Sequence, residues 1–330
     1  MSHRTQQTRV GSSLSANIDL TSGIVQGSVL GPLLFVLFIN DITNLFTNNS
    51  CKCKLYADDV KLYTVLETTA DCGILQSKLD EICNWSKTWQ LSISYAKCNV
   101  MCVGNLNCNF NFNINTNILT VVDKVKDLGI IVDSHLTFDA HINNIVSRAF
   151  IRANLIHKCF MSRNVDNLKR AFIVYVRPLL EYGSCVWSPH HVGKIKQVES
   201  VQRRFTKRLL GFAVLDYRSR LQKLNIESLE MRRLRQDLVY TYKILFGLTD
   251  QSSTDFFTLT NSVHSAFTRG HRYKLFPTYN RVDLHKYFFS NRVIKSWNSL
   301  PAKEEHFRSL SVFKRFIRAA DLTAFVTLGF

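Results

Sequence analysis

The spacing of apolar positions changes character about 140 residues into the chain. Before that point, outside one helically spaced stretch over 70–89, they alternate with polar residues or form short runs, and after it they recur mainly at helical intervals. RTQQTRVG (4–11) and ANIDLTSGIV (16–25) read as extended segments divided by Gly-Ser-Ser. A helix is predicted from Ser28 or Pro32, because Ser caps helix starts and Pro is tolerated in a first turn. From Leu33 to Phe46 the segment is apolar on nearly every side, which predicts a buried helix. CKCKLYA (51–57) and VKLYTV (60–65) read as the strands of a hairpin closed by Asp58 and Asp59. Ile74, Leu75, Leu79, Ile82 and Trp85 place a helix over 70–89, and LSISY (91–95) and KCNVMCVG (97–104) read as strands. The Asn-rich run NLNCNFNFNINTN (105–117) alternates Asn with Phe and Ile, the pattern of an exposed hairpin. VKDLGIIVDSHLTF (125–138) reads as a strand and turn, followed by helices from His141 almost to Leu248. A polar, irregular interval (249–280), an amphipathic segment (288–297) and a basic helix (312–320) complete the chain. Strands early and helices late predict an α+β fold rather than alternating βαβ units.

Composition narrows the class. A chain of 330 residues has room for two domains or three small ones, and 46% hydrophobic with 20% charged residues describes a globular protein. Its 5 Pro and 13 Gly argue against long disordered tracts. The nine Cys are irregularly spaced. Cys51-x-Cys53 and Cys98-x3-Cys102-x5-Cys108 match no zinc spacing, so reduced thiols and no structural zinc are expected. The longest apolar run, Leu33 to Ile39, is too short to span a bilayer, and no secretory signal opens the chain. An intracellular protein, cytoplasmic or nuclear and without a membrane partner, is the expectation.

Charge separates the two parts. Residues 1–104 carry eight basic and eight acidic side chains, leaving 34 basic and 17 acidic of the chain's 42 and 25 for residues 105–330. The whole net charge of +17 thus lies in the second part, which suggests a polyanionic partner. In VESVQRRFTKRLLGF (198–212), Val198, Val201, Phe205 and Leu209 form an apolar stripe beside Arg203, Arg204, Lys207 and Arg208. Arg232, Arg233 and Arg235 repeat the theme on a later helix. A solvated helix face is the ordinary reading of one such run, and clusters on successive helices point to phosphate contact. The acidic turn admits two readings on its own residues. Asp is favoured in turns for backbone reasons, and paired carboxylates also suit magnesium, which needs only one or two of them beside substrate phosphates.

The neighbourhood of that turn carries a resemblance. SGIVQGSVLGPLLFVLFINDI (22–42), followed by LYADDVKLY (55–63), resembles the reverse transcriptases of non-LTR, LINE-like retrotransposons in motif, order and spacing. Further blocks follow in register: Trp89-Gln90-Leu91 leading to Lys97–Met101, VKDLGIIVDSHLTFDAHI, YVRPLLEYGSCVWSP, VQRRFTKRLLG and FFSNRVIKSWNSLP. The resemblance covers nearly the whole chain and is strongest from Ser22 to Val65. It implies a right-hand polymerase palm remnant, an antiparallel sheet with helices, over 1–104. A thumb or connection (105–180) and a basic helical carboxy-terminal domain (181–330) would follow. Asp58 would bind the catalytic metal, Mg2+ or Mn2+, with Asp59 beside it. Tyr56 and Ala57 would lie against the primer end, and Gln26 and Gly27 would border the incoming nucleotide and the template base. Lys97 would stand near the triphosphate, and Leu128-Gly129-Ile130 would form the primer-gripping turn. The implied partners are an RNA template, a DNA primer and dNTPs, and the implied reaction is two-metal nucleotidyl transfer.

The chain also departs from the family pattern. Ser94 stands where the family generally has Asn, and Phe138 where it usually has Trp. Asn40 and Asp41 read as capping or scaffold residues. The family's further metal-binding Asp lies on a strand before the S-G-x-x-Q-G block, and Asp19 is misplaced to substitute for it. The expectation is therefore a polymerase fragment lacking the fingers and the first catalytic Asp, with an open sheet edge beside the hairpin. Such a chain alone would not extend a primer. The alternative is a catalytically inactive nucleic-acid-binding remnant. If the metal reading holds, both carboxylates should stand at a hairpin tip in a groove, close to Gln26 and Lys97.

Overall fold

Two units, Met1–Val122 and Asp123–Phe330, make up the chain in the computed structural model. The described residues are 4–20, 23, 27–46, 51–104, 110–260 and 270–329. The fold is mixed α/β, and its described strands all precede Ser134 while helices dominate thereafter. Each sheet is two-stranded.

In the first unit β1 (Arg4–Gln6) pairs antiparallel with β4 (Ile18–Leu20), enclosing the short hairpin of β2 (Arg9–Val10) and β3 (Ser13–Leu14). Helix α1 spans Leu30–Ile39 and runs into a 3-10 segment, Asn40–Phe46. Its start follows the sequence: the Ser28 hydroxyl accepts the Gly31 N–H at 3.1 Å, and Pro32 sits in the first turn. Its burial does not. Leu33 is 57% and Leu37 66% exposed, and within the helix only Gly31 and Ile39 are buried. An all-apolar helix can hide only as much surface as its neighbours cover. Here one side alone, through Phe35 and Ile39, meets Ile82, Trp85, Leu55 and Leu62.

Helix α2 (Thr69–Thr88) starts where the Asp71 carboxylate accepts the backbone N–H groups of Thr68 and Glu67, at 2.7 and 3.0 Å. That arrangement satisfies two orphan donors and is worth about 1 kcal/mol. Trp85 donates its indole N–H to Asp41 at 3.1 Å and Lys78 donates to the Leu45 carbonyl, so α2 is tied to the 3-10 segment. Asp41 is thus a scaffold acceptor. The hairpin of β5 (Lys52–Tyr56) and β6 (Asp59–Tyr63) forms, but its loop is one residue earlier than the expected Asp58-Asp59 turn, because Asp59 already pairs with Tyr56. Among the described residues no third strand pairs with it. LSISY forms no strand, because its backbone passes into a 3-10 turn at Tyr95–Lys97. Of the strand expected over 97–104 only β7 (Asn99–Val100) forms, and it pairs with a partner near residue 120.

Of the Asn-rich run, residues 105–109 lie outside the described residues. The rest closes a hairpin of β8 (Asn113–Ile114) and β9 (Asn117–Ile118), then enters β10 (Thr120–Val121), which lies parallel to β7. This hairpin is not the exposed one its alternation predicts. Phe112 and Ile114 are buried against α2, and the Gln76 amide brackets Asn113, accepting its N–H and donating to its carbonyl.

The second unit opens with the hairpin of β11 (Lys124–Asp127) and β12 (Ile130–Asp133). Five helices follow that matter below: α3 (Asp139–Cys159), α4 (Val165–Ala171), α5 (Ser184–Trp187), α6 (Val192–Lys207) and α7 (Tyr217–Leu224). A sixth, α8, spans Leu229–Leu245. One core gathers α3, α4 and α6 around Phe172, Val198, Val201 and Phe205, and the other joins α8 to the C-terminal segments around Tyr242, Trp297 and Phe313. The sequence-read stripe of α6, Val198, Val201, Phe205 and Leu209, is buried throughout. At about 1.5–3 kcal/mol per fully buried side chain, that stripe is the main force seating the helix. No described helix is long and apolar enough to cross a membrane, and all eight described cysteines are free thiols.

Candidate functional site

The β5–β6 hairpin places four of the expected site residues together. Tyr56 and Asp59 form its last cross-strand pair, so Ala57 and Asp58 are a two-residue loop. Ala57 has φ +52°. Two-residue hairpins need a positive φ at this position, and a residue with a Cβ adopts it at a cost of about 1–2 kcal/mol. Alternation does the rest. Cys53, Leu55 and Leu62 turn inward, Leu55 and Leu62 onto the α1–α2 cluster. Tyr56, Asp59, Lys54 and Lys61 share the outer face, and all are exposed, as is Asp58. The core fixes the strands, and the strands present the two carboxylates to solvent. Among the described residues neither carboxylate is in an ion pair, and no cluster of three or more His, Cys, Asp or Glu stands ready for a metal.

The remaining candidates of this unit are more dispersed. Gln26 lies outside the described residues. Gly27 has φ +84° with open space where a Cβ would stand, so its backbone rather than a neighbour requires glycine. Lys97 is exposed at the end of its 3-10 turn, and among the described residues no hydrogen bond or ion pair joins it to Asp58 or Asp59.

In the second unit, two blocks that are distant in sequence meet at one turn. Leu128 (φ +43°) and Gly129 (φ +87°) close the β11–β12 hairpin between paired Asp127 and Ile130. The Tyr182 hydroxyl donates to the Leu128 carbonyl at 2.9 Å, and the Trp187 indole donates to the Tyr182 carbonyl at 2.8 Å. Gly183 (φ +61°) lies so close that a Cβ there would stand 2.7 Å from Ile130 Cδ1. The EYGSCVW segment thus backs the strained turn. Neither block shows this coupling when read alone.

The basic candidates divide by helix. α3 and α6 run parallel in register: Gln197 donates to Asn143 and Arg208 to Asn154, both at 2.7 Å, with the Arg204 guanidinium over the Phe150 ring between them. Arg203, Arg204, Lys207 and Arg208 are all exposed, and Lys196 shares their face. The one acid of α6, Glu199, is buried on the opposite side, where it accepts from the Tyr217 hydroxyl and the Leu229 N–H. Burial pushes its carboxyl above the usual range against those hydrogen bonds. α3 contributes exposed Arg148, Arg152 and Lys158, and its single acid, Asp139, is paired with Lys194 at 3.1 Å. The outer α3–α6 surface is therefore cationic and nearly free of carboxylates.

On α8 the three arginines are placed otherwise than as a phosphate-facing set. Arg232 binds the Glu181 carboxylate through both Nε and Nη2. Arg235 pairs with Glu227 at 2.6 Å and donates to the Arg318 carbonyl. Arg233 is only 2% exposed, enclosed among Glu199, Glu230 and Asp237, with its Nε and Nη1 unpartnered. Burial pulls that guanidinium below its ordinary range, while the surrounding carboxylates oppose the shift. The helical phase explains the placement, since Arg233 falls on the stripe of Leu229, Asp237, Thr241 and Ile244 that packs inward. Reading the run against that stripe would have separated it from the surface charges. A second buried pair, Arg292 with Asp237 at 2.9 and 3.0 Å, had no local signature at all.

Comparison with known proteins places these features in a family. Residues 6–132 match the family described as reverse transcriptase (RNA-dependent DNA polymerase). An uncharacterized protein of Caenorhabditis elegans is 32% identical over 132 residues, 39% of this chain and 67% of that protein. The probable RNA-directed DNA polymerase from transposon X-element of Drosophila melanogaster is 26% identical over 211 residues, 62% of this chain and 23% of that protein. The RNA-directed DNA polymerase from mobile element jockey of Drosophila funebris is 27% identical over 205 residues, 58% of this chain and 22% of that protein. The chain spans less than a quarter of the length of these two polymerases. No solved structure matches it. The chain belongs to the reverse transcriptase family, in the branch carried by non-LTR mobile elements.

Proposed function

We propose that this chain serves RNA-directed DNA synthesis, with Asp58 and Asp59 as the carboxylates of its metal site and the α3–α6 face as a surface for template and primer phosphates. The observation that carries the reading is the turn: two adjacent carboxylates, exposed at the tip of a core-anchored hairpin, in a chain of this family. Two carboxylates are enough for Mg2+ or Mn2+ when substrate phosphates and water complete the shell, so the donors fit the group. Bound there, the metal would lower the barrier by activating the attacking hydroxyl and stabilising charge on the leaving pyrophosphate. The reaction is attack of a primer 3′-hydroxyl on the α-phosphate of a dNTP, with pyrophosphate released.

The chain's own residues would orient the reactants. Tyr56 and Ala57 stand beside the carboxylates, where they would support the primer end. Gln26 and Gly27 would border the nucleotide and template base, Lys97 would meet the triphosphate, and the Leu128–Ile130 turn would grip the primer. The test reads metal and chemistry separately. Mn2+ bound by the chain, followed by water-proton relaxation, should be lost in Asp58→Ala and Asp59→Ala. Any primer extension on an RNA template with magnesium or manganese should vanish in Asp58→Ala. Mn2+ binding unchanged in both variants, or extension that survives Asp58→Ala, would refute the assignment.

A further inference from the structure

The FFSNRVIKSWNSLP block has one face without a role in the reading above. Its apolar side chains point into the second core of the unit: Phe289, Val293, Trp297 and Leu300 are all buried there. Its opposite face opens onto a surface groove of about 610 Å³, to which it contributes Asn291, Lys295, Asn298 and Ser299. The facing wall is Pro277, Thr278, Tyr279 and Asn280, with Lys286 also lining the space.

Three properties of this groove point to one class of ligand. It is cationic: Lys286 and Lys295 are exposed, no lining residue is acidic, and among the described residues neither lysine is in an ion pair. Tyr279 stands in its wall 89% exposed, an aromatic face offered to solvent rather than to the core. The walls are also braced. The Asn298 side chain accepts the Leu275 N–H and donates to the Leu275 carbonyl, both at 2.8 Å. Asn291 donates to the His285 carbonyl at 2.7 Å and accepts the Thr278 hydroxyl at 3.0 Å. The amides of the block therefore hold the two walls, leaving Lys295 and Tyr279 to face a ligand, with the exposed Lys286 ammonium resting over the Tyr287 ring, 5.2 Å from its centroid, at the groove's edge. A volume of this size accommodates a nucleotide-sized group.

We propose that this groove binds single-stranded nucleic acid, with an unpaired base stacked on Tyr279 and flanking phosphates on Lys286 and Lys295. An isolated aromatic between cations is the stacking-and-backbone arrangement that suits strands whose bases are free. A duplex keeps its bases stacked inside and presents no ring face to Tyr279. The proposal goes beyond the polymerase reading and does not depend on the carboxylate turn.

The test uses the full chain with Arg203, Arg204, Lys207 and Arg208 changed to Gln, so that the α6 face contributes little. Fluorescence anisotropy would follow a labelled 15-nucleotide oligo-uridine RNA, its oligo-deoxythymidine counterpart and a blunt duplex of the same length, without dNTP or metal. Tyr279→Ala should weaken single-strand binding roughly tenfold. Lys286→Gln with Lys295→Gln should lower the slope of log affinity against log salt by roughly 1.4. A loss confined to the RNA or to the DNA supports the groove and names its source strand. Ultraviolet crosslinking should also mark Tyr279. Tyr279 is exposed, so the variant should melt like its parent by circular dichroism. Unchanged single-strand affinity in both groove variants would overturn the proposal, and so would an equal loss with the duplex. Because no catalysis enters the assay, its failure leaves the Asp58 assignment standing, and failure of that assignment leaves the groove standing.

Discussion

Neutralising Arg203, Arg204, Lys207 and Arg208 together should change how nucleic-acid binding responds to salt, whereas neutralising Arg232 and Arg235 should not. The four α6 cations are exposed on one face that holds no carboxylate, and the partner of Arg208, Asn154, is uncharged. If all four meet phosphates of a duplex, each releases about 0.9 counterion, so the quadruple Gln variant should lose roughly 3.6 from the slope of log affinity against log salt. Across a fourfold rise in salt, the wild type would then lose about 150-fold more affinity than the variant. The α8 arginines differ because Glu181 and Glu227 already balance their charge. Arg232→Gln with Arg235→Gln should leave the slope unchanged and instead lower stability by about 2 kcal/mol, since it strips hydrogen bonds from a largely buried Glu181. The assay is anisotropy with a labelled duplex at 50, 100 and 200 mM salt, beside urea melts of both variants. An equal slope change in the two variants would refute the division, as would none in the α6 variant.

Gly183→Ala should destabilise the second unit by about 3 kcal/mol in urea melts, combining a left-handed Cβ cost of about 1–2 kcal/mol with displacement of Ile130. Gly129→Ala, at φ +87° but with its nearest neighbour 3.5 Å away, should show the backbone cost alone. Asp133 gives a pH-dependent case. Burial raises its carboxyl, but the N–H groups of Thr137, Phe138 and His135 and the Thr137 hydroxyl outweigh burial and hold it below the usual range. A carboxyl lowered in the folded state stabilises above its unfolded pKa of about 3.9, and that contribution fades as pH falls through the folded value. Asp133→Ala should therefore cost about 2 kcal/mol at pH 7, with the gap in urea midpoint between variant and wild type narrowing from pH 5 toward pH 3.

Which parts of this molecule were legible in its sequence follows from where the determining forces act. The β5–β6 hairpin, α2 and the α6 stripe were readable because their signals are local: alternation in the first, and an apolar helical period within one segment in the other two. The burial of α1 was not, because composition states how much surface a helix wants to hide and not how much its neighbours offer. The same limit applies to Phe112 and Ile114, whose alternation predicts a hairpin correctly but does not say that Gln76 of α2 will seize its backbone. For the site, motif and turn carried Tyr56 to Asp59 to a single hairpin tip, whereas Lys97 depends on the path of a connecting segment that formed no strand.

Charge was legible as a sum and not as a map. A run of cations says that a helix has a basic face, but which cations lie on it depends on helical phase and on acids from other elements. Glu199 and Arg233 make the point in opposite ways. Glu199 is the only carboxylate on α6, and its withdrawal into the interior is what leaves the outer face wholly basic. Arg233 sits in an equally basic run, yet its phase with Leu229, Thr241 and Ile244 carries it inside, among the carboxylates that oppose its loss of charge. Burying an ion without partners costs several kcal/mol, so a buried acid on one helix and a buried base on the next are mutually dependent. The electropositive surface of this unit is therefore set up from within: Glu199 is held inside by the Tyr217 hydroxyl and the Leu229 N–H and feels the charge of buried Arg233, which removes a carboxylate from the face where the cations remain.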